Sequence, residues 1–177
     1  PGKILPVTTS YGCYWRKCNF CPECAEGNAY DPVPRQLVIR HLQSAIAEQQ
    51  PSLVHFLDNA LDGPMLRQLI ETKLNTPWYG YVRFEPFLTN LEFCRELKNS
   101  GCVMLQLGLE SGDAEVLNAM HKGIDLERVR IILRNLQTVG IATYVYVLFG
   151  TPSEDEKAAR RTVDFVSEFA EAISYLN

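Results

Sequence analysis

Apolar and polar positions along the chain switch repeatedly between a two-residue repeat and a three-to-four-residue repeat, which predicts strands alternating with helices. The first unit reads as strand Ile4 to Thr9 and a helix around Arg35 to Gln49. The second reads as strand Leu53 to Leu57 and a helix from about Pro64 to Lys73. Next come strand Trp78 to Phe84 with a helix Leu91 to Asn99, and strand Val103 to Leu109 with helical turns from Asp113 to Val139. The fifth is strand Ile141 to Phe149 with a helix Glu154 to Ile173. Five βα units in succession predict an α/β fold built on a parallel sheet.

Helix ends are marked by residue chemistry. Asp125 is placed to cap a helix whose apolar stripe is Val129, Ile132, Leu133 and Leu136, with Gly140 where a left-handed residue closes it. Ser153 and Glu156 make a capping-box pattern for the last helix, whose stripe Ala159, Val163, Val166, Ala170 and Ile173 is expected to pack on the sheet.

In the fourth strand, Val103, Leu105, Leu107 and Leu109 face one way and Gln106, Gly108 and Glu110 the other. The third repeats the feature with Tyr79, Tyr81, Arg83 and Glu85. A doubly wound sheet is covered on both faces and has no use for a polar row, whereas a barrel enclosing a charged ligand does. The expectation is a barrel-like (β/α) sheet.

Composition adds limits. A chain of 177 residues with 46% hydrophobic content has the material for one domain with one core. A formal charge of −4 lacks the basic footprint of a nucleic-acid binder. The apolar runs, such as Ile141 to Phe149, fall short of the roughly 20 residues of a membrane span, and no leader opens the chain, so a cytoplasmic protein is expected. Six cysteines would suit a disulfide framework, but four crowd into residues 13 to 24, leaving Cys94 and Cys102 as buried singletons. Such crowding favours a metal and a reducing compartment.

Cys13, Cys18 and Cys21 fall in a loop after the first strand, where parallel barrels gather their active sites. Close thiolates suit zinc or an iron-sulfur cluster. One reading is a structural zinc site on Cys13, Cys18, Cys21 and Cys24, although zinc sites generally join two CxxC pairs across a longer loop. In that case, or as an Fe-S electron carrier, the protein is a non-catalytic metalloprotein.

The segment Cys13-Tyr-Trp-Arg-Lys-Cys18-Asn-Phe-Cys21 resembles the signature of the radical S-adenosylmethionine (SAM) superfamily, with Phe20 directly before the third cysteine. Its first gap is four residues where three is usual, which is similar to cobalamin-associated members. Asp58-Asn59-Ala60, Gly108-Leu-Glu110-Ser-Gly112, Met120-His-Lys122-Gly123 and Phe149-Gly150-Thr-Pro152 follow in the order of the family's motifs.

The resemblance implies a partial TIM-like barrel of six units. Residues 1–177 then form a catalytic core that stops just before a sixth strand, with Ile173 to Asn177 turning β-like and the fifth strand left as an open edge. It implies a 4Fe-4S cluster on Cys13, Cys18 and Cys21, with Cys24 a bystander, and SAM cleaved by one electron to a 5′-deoxyadenosyl radical. Asp58 or Asn59 would accept from the SAM amino group, Glu110 from the ribose hydroxyls, and Lys122 would meet the carboxylate. Arg83 is a second partner for an anionic group, Tyr146 a further ribose contact, Gly150 an approach to the adenine, and Phe20 a wall of the same site. Partners implied are an electron donor such as flavodoxin or ferredoxin and a small-molecule or peptide substrate, with cobalamin possible through a domain outside this chain. Read without the resemblance, Glu110 with Lys122 is an ordinary solvated salt bridge, Asp58 a capping or turn residue, and Tyr14 and Trp15 packing residues. His55 and His121 are each a core or surface histidine, and Lys157, Arg160 and Arg161 a solvated helix face.

Overall fold

In the computed structural model, which describes residues 2–177, strands and helices alternate in the predicted order. Strand β1 (Ile4–Val7) leads into a small antiparallel ribbon of β2 (Ser10–Tyr11) and β3 (Asp31–Pro32), with the short helix α1 (Pro22–Ala25) between them. There follow α2 (Arg35–Gln49), β4 (Leu53–Phe56), α3 (Gly63–Thr72), β5 (Trp78–Val82), α4 (Leu91–Asn99) and β6 (Cys102–Glu110). The remainder is α5 (Ala114–Ala119), α6 (Leu126–Val139), β7 (Ala142–Val147), α7 (Glu156–Glu168) and β8 (Tyr175–Leu176).

The main sheet has the order β1-β4-β5-β6-β7-β8, and every neighbouring pair is parallel. Strands join in chain order without reversal, which is the winding of a barrel; a doubly wound sheet reverses at a switch point. Among the described residues β1 and β8 remain the two edges, so the barrel is partial. The expectation that the chain stops before a sixth strand needs correction. Tyr175 and Leu176 pair with Tyr144 and Val145, and Asn177 N donates to Val145 O, so the fifth strand is covered over part of its length.

The sheet has the two faces expected of it. Val54, Phe56, Trp78, Val82, Leu105, Leu107, Leu109 and Val145 are buried in the main hydrophobic core, together with apolar side chains of α2, α3, α4 and α6. Each large side chain so buried contributes about 1.5–3 kcal/mol relative to exposure, which makes this layer the main source of stability. The other face carries His55, Tyr79, Tyr81, Gln106, Tyr144 and Tyr146, with His55 stacked on Tyr79 and Tyr81 on Tyr146. Val103 leaves the apolar row because the β5–β6 register shifts beside it.

Asp62, Asn90, Asp113 and Asp125 cap α3 to α6 through side-chain oxygens. For α7 the expected Ser153–Glu156 box is replaced. Asp155 accepts from Ala158 N at 2.7 Å, and Glu154 turns back to accept from Gly150 N at 2.5 Å. The buried side of α7 is accordingly Ala158, Thr162 and Phe165, with Phe169 just beyond, while Val163 of the expected stripe is exposed. Thr162 Oγ1 meets Ser111 Oγ at 3.1 Å and accepts from Gly112 N at 2.9 Å, which docks α7 on the loop after β6. Arg161, expected to be free in solvent, pairs with the α5 cap Asp113. Among the described residues no helix is long and apolar enough to cross a membrane.

Candidate functional site

One end of the sheet, at the C-terminal ends of its strands, carries a cavity of about 160 Å3. It is lined by Cys13, Cys18, Phe20, Cys21, Asn59, Ala60, Tyr81, Val82, Arg83, Gly108, Glu110 and Lys122. Five separate segments contribute, and eight of the eleven residues singled out from sequence meet there: the three cysteines, Phe20, Asn59, Arg83, Glu110 and Lys122. A hollow of about 200 Å3 between β1 and α2 has only Thr8 and His41 as polar side chains, so the chemistry resides in the first cavity.

The end of β6 is shaped to aim Glu110. The β6–β7 register shifts between Gly108 and Glu110, and Glu110 takes a left-handed backbone, φ 67°. Leu148 N fixes that turn by donating to Glu110 O at 2.8 Å. The carboxylate then accepts from Lys122 Nζ at 2.7 Å, with the two side chains only 14% and 8% exposed. This is no solvated surface pair. Gly108 makes room for it, since a Cβ there would overlap the Glu110 carboxylate and lie 2.8 Å from Lys122 Nζ. A buried ion pair is weak evidence for stability, because desolvation offsets the attraction. Its chemical capacity is plainer: one ammonium and one carboxylate in a single cavity match a zwitterion that also carries hydroxyls.

Arg83 is buried and already engaged. Its Nη2 donates to Lys122 O at 2.5 Å and its Nε to Glu85 Oε1 at 3.4 Å, while Tyr14 OH donates to the same Glu85 oxygen at 3.0 Å. Burial, together with that carboxylate, pushes the Tyr14 hydroxyl well above the usual tyrosine range. Asp58 ends β4 with its acceptors turned away from the cavity and occupied. Its carboxylate takes Thr9 N at 3.0 and 3.1 Å, Thr9 Oγ1 at 2.8 Å and Ser10 Oγ at 2.8 Å. Tyr146 lies one residue behind the lining, its hydroxyl accepting from Gln106 Nε2 at 3.0 Å and its ring stacked on Tyr81. Burial and the Tyr146 hydroxyl push Tyr81 far above the ordinary tyrosine range. Gly150 is exposed, outside the lining, with its N–H given to Glu154.

The thiols fit an iron-sulfur cluster better than one ion. Among the described residues no three His, Cys, Asp or Glu side chains converge on a point that would hold a single metal ion. A cubane takes its three thiolates at three different irons, so the requirement is thiols around one cavity, which Cys13, Cys18 and Cys21 meet. Burial raises the Cys18 thiol above its ordinary value, while the Lys122 and Arg83 cations pull the other way and favour thiolate. Cys24, the fourth donor of a zinc reading, is outside the lining and gives its thiol to Arg16 O at 3.5 Å. Cys94 and Cys102 are fully buried free thiols in the apolar layer, burial pushing Cys94 up to about 11.

In the sequence Trp15 reads as packing, and Gly123 stands in the Met120-His-Lys122-Gly123 motif without a role of its own. The ring of Trp15 lies under the Arg83 guanidinium, 4.2 Å from its centroid, and against Gly123. Nothing in the local sequence pairs these positions, which are more than 100 residues apart.

Comparisons with known proteins agree with this geometry. Residues 7–166 match the radical SAM superfamily. Bacteriochlorophyllide d C-12(1)-methyltransferase of Chlorobaculum tepidum is 25% identical over 174 residues, covering 94% of this chain and 38% of that protein. An uncharacterized methyltransferase of Pyrococcus horikoshii is 23% identical, covering 92% and 36%. The radical S-adenosylmethionine methyltransferase TsrM from Kitasatospora setae superimposes with a TM-score of 0.79 at 24% identity, over 96% of this chain and 34% of that one. For the cobalamin-dependent S-adenosylmethionine radical enzyme OxsB the TM-score is 0.75 at 20% identity, over 97% and 27%. At such identity these structures establish the fold, a parallel partial barrel. The chain spans somewhat more than a third of the length of the two relatives.

Proposed function

The chain belongs to the radical SAM superfamily, and on that premise we propose that it binds a 4Fe-4S cluster through Cys13, Cys18 and Cys21, holds SAM in the adjoining cavity, and cleaves it reductively. When bound, the cluster supplies one electron to the SAM sulfonium, whose S–C5′ bond breaks to methionine and a 5′-deoxyadenosyl radical. The chain's own residues orient SAM and exclude water. Lys122 meets the carboxylate of the methionine part, Glu110 accepts from the ribose hydroxyls, and Asn59 accepts from the amino group. Phe20 closes one wall. Arg83 acts through the Lys122 carbonyl, and Asp58 through Thr9 and Ser10 at the root of the cysteine loop. Tyr146 stands behind Tyr81 as the outer ribose neighbour, and Gly150 is the most distant of the set, at the adenine end.

The observation that carries this reading is the single cavity in which three thiols face a buried Glu110–Lys122 pair. The methyltransferase names of both relatives support methyl transfer as the outcome, and the cobalamin-dependent OxsB supports cobalamin as a further cofactor, held outside these residues. The electron comes from a low-potential one-electron donor of the flavodoxin or ferredoxin class, and the substrate is a small molecule or peptide. Six free thiols support work in the reducing cytoplasm. Anaerobic reconstitution tests the proposal: the protein turns brown, binds iron and sulfide, and releases 5′-deoxyadenosine and methionine from SAM when reduced. A colourless protein holding one tight zinc refutes it.

A further inference from the structure

We propose that Trp15 is a positioning residue: seated on Gly123 and covered by Arg83, it fastens the cysteine loop to the segment that carries Lys122, so that the thiols and the cavity's ammonium are held as one unit. The proposal deepens the reading of the cavity given above and rests on it.

The reason lies in the end of α5. The last carbonyls of a helix have no partner within it and must find donors elsewhere. Past Leu117 and Asn118, whose carbonyls are taken by the amides of Lys122 and His121, the carbonyls of Ala119, the last residue of α5, and of Met120, His121 and Lys122 in the turn beyond it all accept from other segments. The cysteine loop takes three of them. Asn19 Nδ2 donates to Ala119 O at 2.7 Å, Asn19 N to Met120 O at 3.2 Å, and Trp15 Nε1 to His121 O at 3.0 Å. The fourth, Lys122 O, accepts from Arg83 Nη2 at 2.5 Å, and the same guanidinium lies over the Trp15 ring. The loop that bears the thiols is therefore the C-terminal cap of α5.

Gly123 closes the arrangement. Its backbone is left-handed at φ +68°, and a Cβ at this position would overlap the Trp15 ring, so glycine is required both by conformation and by contact. Lys122, next to it, extends to Glu110 across the cavity that the thiols line. If the indole is removed, the loop loses its hold on residue 121, Arg83 loses its stacking partner, and the register between the thiols and Lys122 is no longer imposed.

The first test uses the cofactor-free protein and amide hydrogen exchange. In Trp15→Ala the amides of Asn19 and of residues 119–123 are expected to exchange about tenfold faster or more, with those of Ile132 and Leu133 in α6 unchanged. Trp15→Phe keeps a ring on Gly123 and loses the N–H, and is expected between the two. Gly123→Ala alone loosens the same amides, and it adds less in the Trp15→Ala background, where the left-handed strain remains but no ring is left to collide. Unchanged exchange at Asn19 and 119–123 in Trp15→Ala overturns the proposal, as does full additivity of the two substitutions. The second test uses the reconstituted protein: Trp15→Ala keeps its iron content and binds SAM about tenfold more weakly, with partial recovery in Trp15→Phe. SAM affinity equal to that of the parent overturns the coupling. A parent that takes up neither iron nor SAM overturns the reading of the cavity instead, and the exchange result then decides on the clasp alone.

Discussion

Asp58 sits at the end of β4, 2% exposed, and its carboxylate is the common acceptor for one amide and two hydroxyls of Thr9 and Ser10, themselves 5% and 6% exposed. Asp58→Ala leaves those three donors short. A buried unsatisfied group costs about 1–3 kcal/mol. The hydroxyls rotate toward other acceptors and fall at the low end, while the Thr9 amide is fixed by the backbone and falls higher. The sum is about 4 kcal/mol, which for a chain of this size lowers the melting temperature by about 8–16 °C. Asp58→Asn keeps one oxygen for the hydroxyls and loses the charge, so about half that shift is expected. The assay is thermal unfolding of the cofactor-free protein under reductant, followed by SAM binding after reconstitution. An Asp58→Ala protein melting within about 2 °C of the parent refutes the anchoring argument. So does an Asp58→Asn protein that melts like the parent yet binds SAM more than about tenfold more weakly, which would make Asp58 a direct ligand of SAM.

Alanine at Cys13, Cys18 or Cys21 is expected to abolish iron binding, while alanine at Cys24, Cys94 or Cys102 leaves iron per folded chain unchanged; full loss in Cys24→Ala would indicate a four-cysteine site. Glu110→Gln and Lys122→Ala each remove one charge-assisted hydrogen bond to SAM, about 1.5–3 kcal/mol, and are expected to weaken its binding roughly ten- to a hundredfold with iron content intact. For Asp113, burial raises the carboxyl's pKa, but the Val116 amide and Arg161 outweigh it and the folded value lies below the ordinary one. A depressed folded pKa adds stability that is present above the unfolded value of about 3.9 and is lost as pH falls through the folded value. Asp113→Asn, which keeps a capping oxygen, should therefore be less stable than the parent at pH 7, with the gap narrowing in urea unfolding as pH falls below about 3.9.

The fold was legible wherever a local repeat decides it. Arg35–Gln49 and Leu91–Asn99 have the bounds that periodicity predicts, and the polar row on β5 and β6 correctly argued for a barrel interior. Failures fall where a distant contact overrides the local pattern. At α7 the local pattern predicts a start at Ser153, whereas the helix is capped by Asp155 and docks through Thr162, which faces Ser111 and Gly112 some 50 residues earlier. Starting at Asp155 brings Ala158, Thr162 and Phe165 to the sheet side, and Val163 turns outward. The β-like character of Ile173 to Asn177 was legible, but its pairing with β7 was not, because two residues of pairing are too few to show as a strand of their own.

The site was legible as a set of residues and illegible as a mechanism of support. Spacing placed the thiols, and motif order placed Glu110 and Lys122, because each of these presents its own chemistry to the cavity. Asp58 and Arg83 carry the same kind of chemistry, and sequence alone assigns them the same kind of role; the structure engages Asp58 with residues 48 and 49 positions away and Arg83 with the backbone 39 positions away. A carboxylate whose acceptors are filled inside the protein, as those of Asp58 are, looks in one dimension like one that is free, while Arg83 is engaged through two of its N–H groups and still lines the cavity. Trp15 shows the converse, since its single N–H and its flat ring gain meaning only beside the open carbonyls of α5 and the bare Cα of Gly123. Gly123 is the bare position that admits the ring, while the left-handed Gly12 beside Cys13 meets the Ala29 backbone and Gly27 meets nothing, so a glycine does not by itself name its neighbour.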